Sequence, residues 1–190
     1  MYVIENHFEN KPTILIDDVI INGCQKFKLE DAQPILEDYN VPDDVWQQVL
    51  DVYTGVSTPE QIKAYLHHTD PFVRVVIADQ GYYLDILVND LDPVVRFAVA
   101  RQGYGLDILV KDKHPDVREA VANKGYGLDI LIKDPKSLVR AAVARQGYGL
   151  DILVNDSNYL VRIAVAEQGY GLDILVNDLD PVVRFAVARQ

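Results

Sequence analysis

Six arginines, Arg74, Arg96, Arg118, Arg140, Arg162 and Arg184, stand 22 residues apart. A row of guanidinium groups suits anion binding, because each offers a planar fork of donors that fits a phosphate or a carboxylate. The same stretch also carries two aspartate columns. Asp85, Asp107, Asp129, Asp151 and Asp173 form one, and Asp90, Asp112, Asp134, Asp156 and Asp178 form the other. With two carboxylates beside every guanidinium, the spacing favours a structural ladder that braces neighbouring repeats. Its expected members are Arg96, Arg118, Arg140 and Arg162 with Asp107, Asp129 and Asp151. Tyr82, Tyr104, Tyr126, Tyr148 and Tyr170 recur at the same interval and could stack against bases or sugars. Each follows a glycine, however, and a helix C-cap explains the pair without a ligand.

Other candidates for chemistry are weaker. His67-His68 with Asp70 has metal-ligand residue types, but adjacent histidines point in different directions on a helix. Asp90-Leu91-Asp92 and Asp178-Leu179-Asp180 resemble fragments of a calcium loop without its glycine and distant glutamate, and helix capping explains them. Cys24 is the one cysteine and has no histidine at useful spacing; Asn155-Asp156-Ser157 is a glycosylation sequon that matters only on export. There is no phosphate loop, nucleotide fingerprint or nucleophile elbow. The expectation is therefore a protein that is not an enzyme and holds neither cofactor nor metal.

The elements that must position these residues follow from the repeat. Gly169–Gln190 matches Gly81–Gln102 everywhere except that Gly171 replaces Tyr83, so duplication of whole units is the plain explanation. Asp92-Pro93 opens a helix, with Asp as N-cap and Pro in the first turn, where its missing N–H costs nothing. Asp70-Pro71 and Asp180-Pro181 repeat this, and His114-Pro115 keeps the proline. Lys136-Ser137 and Asn158-Tyr159 depart from it, so those two starts are expected to fray. Val95, Ala98, Val99 and Gln102 share one side at helical spacing. Gly103 sits where a left-handed residue ends the helix, followed by Tyr104. A short second helix, Leu106–Val110, completes the unit. One unit cannot bury its apolar face alone, whereas stacked neighbours can, which predicts a mainly α chain built as an α-solenoid of 22-residue, two-helix repeats.

The pattern Asp-Pro-x-Val-Arg-x-Ala-Val-Ala at Asp92–Ala100, with a short Leu-rich helix between copies, resembles the leucine-rich repeat variant, a HEAT-like α-solenoid family. Ser57–Leu66 leading into Asp70–Arg74 is similar to that family's unit. Asp90 with Arg96, Asp112 with Arg118 and Asp134 with Arg140 reproduce the HEAT-type spacing of six. The resemblance covers residues 57–190. It implies alternating α and short 3₁₀-like helices in a curved right-handed superhelix, and a binding role. Some relatives carry an iron–sulfur cluster on a Cys-rich segment, which Cys24 alone does not support.

Residues 1–56 do not repeat and read as a small α/β cap. Tyr2–Glu5, Thr13–Asp17, Val19–Asn22 and Gln25–Leu29 are short strand-like runs, Asn22-Gly23 suggests a hairpin over Ile14–Leu29, and Leu29–Tyr39 and Val45–Tyr53 look helical. The formal charge of −11 concentrates here: residues 1–69 hold four lysines against twelve acids, a net −8, while residues 70–190 hold 14 basic and 17 acidic residues, a net −3. That balance argues against direct nucleic-acid binding, which needs clustered Lys and Arg. It leaves Glu30, Asp31, Glu37, Asp38, Asp43, Asp44 and Asp51 as a surface for a basic protein partner, or as mimics of phosphates in an inhibitor of a nucleic-acid-binding protein, of the kind phages direct at host defence.

A second candidate surface is the stripe that varies while the scaffold repeats. It contains Val94, Phe97, Arg101, Glu119, Arg145, Leu160, Ile163 and Glu167, and it serves either as a recognition surface or as tolerant packing between repeats. No apolar run approaches the ~20 residues that span a bilayer, and the first ten residues carry no Lys or Arg, so a cytoplasmic setting is expected. Val183 and Val187 on the C-terminal helix have no second helix to cover them, which predicts a homodimer joined there or a truncated chain.

Overall fold

The computed structural model describes residues 57–190, the backbone of Tyr2–Glu5 and Pro12–Leu15, and Gln48, Asp51 and Val52. Tyr2–Glu5 (β1) and Pro12–Leu15 (β2) pair antiparallel, Tyr2 opposite Leu15 and Glu5 opposite Pro12. Pro12 stands first in its strand, where the absent N–H is tolerated. This hairpin joins the first two strand-like runs. Residues 16–29, with most of the hairpin expected over Ile14–Leu29, lie outside the described residues, as does the helix expected over Leu29–Tyr39. Of the cap's second expected helix, Gln48, Asp51 and Val52 are described and helical.

From Ser57 onward the described residues form helices only, and the chain falls into two compact units, Met1–Tyr83 and Leu84–Gln190. The first holds α1 (Pro59–Tyr65) and α2 (Pro71–Asp79). Thr58 and Gln61 form a reciprocal capping box on α1. In the second unit, four-residue helices α3 (Leu84–Leu87), α5 (Leu106–Leu109), α7 (Leu128–Leu131), α9 (Leu150–Leu153) and α11 (Leu172–Leu175) alternate with longer ones. Those are α4 (Pro93–Arg101), α6 (Pro115–Asn123), α8 (Ser137–Arg145), α10 (Tyr159–Glu167) and α12 (Pro181–Val187). The second helix of each repeat is thus a single α-helical turn.

Helices of seven to nine residues rich in β-branched valine are marginal alone, so their stability must come from packing. Each long helix lies against the next: α4 on α6, α6 on α8, α8 on α10 and α10 on α12. Val95, Ala98, Val99 and Ala100, with their equivalents in each repeat to Ala166, are buried, as is the closing leucine of each short helix (Leu87, Leu109, Leu131, Leu153, Leu175). Gln102, expected on the inner side, is exposed, and Ala100 takes that place.

Caps set the boundaries. Asp92 and Asp180 accept from the N–H groups of Val94 and Val182, and His114 Nδ1 accepts from Asp116. The fraying expected at Asn158 is not supported, because its side chain accepts from Leu160 N–H at 2.9 Å as an aspartate would. Lys136 makes no side-chain cap, but its own N–H is held by Asp134 at 2.8 Å. At the other end of α4, Gly103 N–H bonds to Ala100 O and Tyr104 N–H to Val99 O, with Gly103 at φ +78°. That is the expected glycine stop with two carbonyls satisfied.

Candidate protein-binding face

The arginine ladder fixes how neighbouring repeats register. Arg96 donates from Nε and Nη2 to the two oxygens of Asp112, at 2.6 and 2.8 Å, and from Nη1 to the carbonyl of Asp90 at 2.8 Å. Arg118 repeats this with Asp134 and the Asp112 carbonyl, Arg140 with Asp156 and the Asp134 carbonyl, and Arg162 with Asp178 and the Asp156 carbonyl. Each aspartate thus serves two arginines, the preceding one through its carboxylate and the following one through its carbonyl. Its Oδ1 also accepts an N–H two residues on, as in His114 to Asp112 at 2.8 Å.

The ladder partners are therefore Asp112, Asp134, Asp156 and Asp178, and the assignment of Asp107, Asp129 and Asp151 is corrected. Those three stand in the single turn of each short helix and are exposed. Asp112 and its equivalents follow that turn and reach the preceding repeat. The spacing of six likewise pairs arginine with the aspartate's backbone, and its carboxylate partner lies sixteen residues ahead. Arginines engaged on all three nitrogens leave no fork for an external anion, which disposes of the anion-binding alternative at these four positions.

Burial pushes the Asp112 and Asp156 carboxyls up, but each is held below the ordinary carboxylate value by its arginine and the nearby N–H. At Asp178 the Arg162 hydrogen bond dominates and the direction is again downward. The arginines are raised in turn, first by those same bonds.

The variable stripe runs along one side of the stacked long helices. Its middle positions are partly or wholly covered by the neighbouring helix: Phe97, Glu119 and Ile163 are half-buried and Ala141 is buried. Val94, Arg101 and Leu160 are also half-buried, whereas Arg145 and Glu167 are exposed. Inter-repeat packing therefore accounts for the centre of the stripe, while polar and apolar groups stand open along its margins. Between α10 and α12 it opens into a groove of about 370 Å³ lined by Ile163, Glu167, Val182, Phe185, Ala186 and Arg189. Arg189 lies over the Phe185 ring, 5.8 Å from its centre.

Glu119 is the stripe's displaced acid. Burial pushes its carboxyl up, Asp116 adds to this, and Arg145 pulls the other way. A raised folded pKa costs stability as pH rises through it, whereas the depressed ladder aspartates contribute stability that is lost as pH falls through their folded values. Glu119→Gln should therefore melt about 2–4 °C higher than the parent near pH 7. The gap should close as pH falls towards the ordinary glutamate value near 4.3, and both proteins should lose stability together at lower pH. Thermal melts across that range check the sign, and an equal gap at every pH would mean that packing, not charge, is responsible.

Of the acidic set expected in the cap, Asp51 is described, half-buried on helical backbone. Glu30, Asp31, Glu37, Asp38, Asp43 and Asp44 lie outside the described residues. His68 Nδ1 accepts from Asp70 N–H at 3.0 Å, so that histidine serves a turn. Among the described residues no group of three or more His, Cys, Asp or Glu could hold a metal ion, and no helix is long and apolar enough to cross a membrane.

Ile86, Ile108, Ile130, Ile152 and Ile174 on the short helices are exposed, as are Tyr82, Tyr104, Tyr126, Tyr148 and Tyr170. A helix of one turn has too few residues for periodicity to assign its faces. In comparisons with known proteins, no family model, no curated protein and no solved structure matches the chain.

Proposed function

We propose that the protein is a non-enzymatic, cytoplasmic protein-interaction module. It reads as a right-handed α-solenoid similar to the leucine-rich repeat variant and HEAT-like families, preceded by an acidic α/β cap over residues 1–56. The observation that carries this is the contrast along the long helices. Scaffold positions are nearly invariant from repeat to repeat, while the stripe changes from Val94/Phe97/Arg101 to Asp116/Glu119/Asn123 to Leu138/Ala141/Arg145. A rigid stack that presents a varied surface lowers the ordering cost of association.

The second reading, a nucleic-acid mimic that occupies the basic channel of another protein, is favoured by the net −8 of residues 1–69. Two variants separate the readings. Leu138→Asp with Arg145→Glu alters exposed stripe positions and leaves the ladder intact; Asp43, Asp44 and Asp51→Lys reverses the cap. With an isolated partner, the stripe variant is expected to weaken binding about tenfold or more, and the parent's affinity should change little between low and moderate salt. Loss in the cap variant alone, with affinity collapsing as salt rises, would establish the mimic instead.

A further inference from the structure

The short helices α3, α5, α7, α9 and α11 each leave two residues facing outward. In α5, Leu109 and the following Val110 are buried, whereas Asp107 and Ile108 are exposed. The outward pair is Asp-Ile in all five copies: Asp85-Ile86, Asp107-Ile108, Asp129-Ile130, Asp151-Ile152 and Asp173-Ile174. Other exposed positions have not stayed fixed. The loop before each long helix reads Leu91, Lys113, Pro135, Ser157 and Leu179, and the residue before each ladder aspartate is Asn89, Lys111, Lys133, Asn155 or Asn177. Gly81–Gln102 and Gly169–Gln190 are near-identical and count as one sample. Four units that have diverged elsewhere therefore keep the pair.

The fold accounts for only half of it. An acid in the first turn of a helix complements the dipole, which explains Asp107 but not Ile108. The five isoleucines are 48–61% exposed, and isoleucine is a poorer helix former than leucine, lysine or glutamine. Tyr104, Tyr126, Tyr148 and Tyr170 add ring surface in the same units, at 41–42% exposure. Each of these units thus presents a carboxylate, an isoleucine and a tyrosine. Among the described residues no ion pair engages that column of carboxylates.

The pitch of the column selects its occupant. Helices packed side by side lie about 8–10 Å apart, and each long helix carries a short one with it, so the outward pairs recur at about that interval. A β-strand advances about 10 Å in three residues, but its side chains alternate faces and every third one points away. An α-helix returns a side chain to the same face after seven residues, about 10.5 Å, which is beyond the range. Polyproline II turns once in three residues and rises about 9.3 Å, so every third side chain meets the column in step.

We propose that the outward face of the short helices docks a proline-rich segment of a partner protein, in polyproline II conformation, with arginine or lysine at every third residue. The cations meet the column from Asp85 to Asp173, and the prolines lie on the isoleucines and tyrosines. Polyproline II makes no internal hydrogen bonds, so its carbonyls are free to accept from tyrosine hydroxyls. Charge complementarity commits the face to a cationic segment: nucleic acid, an anionic membrane and a second copy of this chain, itself at −11, are all repelled. The inference does not rest on the variable stripe, whose residues lie on the long helices.

The test uses the full chain and a labelled peptide of five Pro-Pro-Arg triplets, followed by fluorescence anisotropy at moderate salt. Saturable binding is expected. An isomer of the same composition, with arginine and proline alternating, should bind about tenfold or more weakly because its cations fall out of step. In the protein, Asp129→Asn, Asp151→Asn and Asp173→Asn together should weaken binding about tenfold or more. Ile130→Ser with Ile152→Ser should weaken it about fivefold or more. Lys111→Asn with Lys133→Asn should tighten it, since those exposed cations stand in the units of Asp107 and Asp129. Every substituted position is exposed, and thermal melts check each fold; where the triple change melts early, Asp151→Asn alone is read, with about a threefold loss expected.

The stripe variant, Leu138→Asp with Arg145→Glu, and the cap variant, Asp43, Asp44 and Asp51→Lys, should bind the peptide within about twofold of the parent. That separates this face from both surfaces of the proposed function. Absence of saturable binding overturns the proposal. So does equal affinity for the alternating isomer, or binding unmoved by the isoleucine change, either of which reduces the contact to net charge. Loss in the cap variant with the aspartate triple unaffected assigns the peptide to the acidic first third of the chain and equally overturns it.

Discussion

Asp134→Ala should lower the free energy of unfolding by about 3–5 kcal/mol, the range for removing one partner of a buried ion pair. The Asp134 and Arg118 side chains are 4% and 13% exposed, and the carboxylate accepts from Nε at 2.5 Å, Nη2 at 2.9 Å and the Lys136 N–H at 2.8 Å. Truncation strands a half-buried guanidinium and also orphans an N–H at the start of α8, the one long helix among the described residues without a side-chain N-cap. Asp134→Asn should fall between, since an amide keeps an acceptor and loses the charge. Arg118→Gln should lower the melting temperature for the same reason. The double change Arg118→Met with Asp134→Leu should recover much of the loss, because what destabilises is the unpaired partner more than the missing attraction. Urea denaturation measures all four. A loss below about 1 kcal/mol for Asp134→Ala would put this rung among ordinary surface pairs. The interface between α6 and α8 would weaken most, so a broadened or split transition is expected in a stack held by nearest-neighbour contacts.

Gly149→Ala is expected to cost about 2–4 kcal/mol. The backbone there is left-handed at φ +63°, and an added Cβ would press into the side chain of Ile132 in the preceding repeat. Holding a non-glycine residue in that region costs about 1–2 kcal/mol, and forcing a methyl into a packed contact about 1–3. Gly147→Ala is the control: its φ is +73°, but nothing lies within 4 Å of its Cβ position. It should pay the conformational cost of about 1–2 kcal/mol and no more. The difference between the two midpoints in urea isolates the contact between repeats. Equal losses would show that Ile132 moves aside freely.

The two-helix repeat was legible because duplication repeats every cue: the Asp-Pro start, the Val and Ala spacing, and the Gly-Tyr stop. The ladder was legible as a set of columns but not in its pairing. Asp107 and Asp112 recur with the same period, and only the placement of the short helix decides which reaches back to Arg96. The role of Gly105 was hidden for a related reason. Its missing side chain matters to Val88 in the neighbouring unit, a contact that no local pattern encodes. Asn158 shows the opposite case: the Asp-Pro cue is stricter than the physics, because asparagine caps a helix as well as aspartate does. The shared side of the stripe follows from helical spacing alone. Its half-buried centre depends on how closely neighbouring helices approach, which the alanine columns suggest without fixing.

Every ladder arginine finds one partner six residues behind and another sixteen ahead, and the two distances together make one 22-residue unit. Adjacent units therefore share a universal connector. Unequal exchange between two copies in the gene would add or delete a whole unit and leave each surviving arginine with an aspartate on both sides. The near-identity of Gly81–Gln102 and Gly169–Gln190 is the trace such an exchange leaves. Length can then drift in discrete steps at little structural risk, while each new unit brings three fresh stripe positions for selection to spell with.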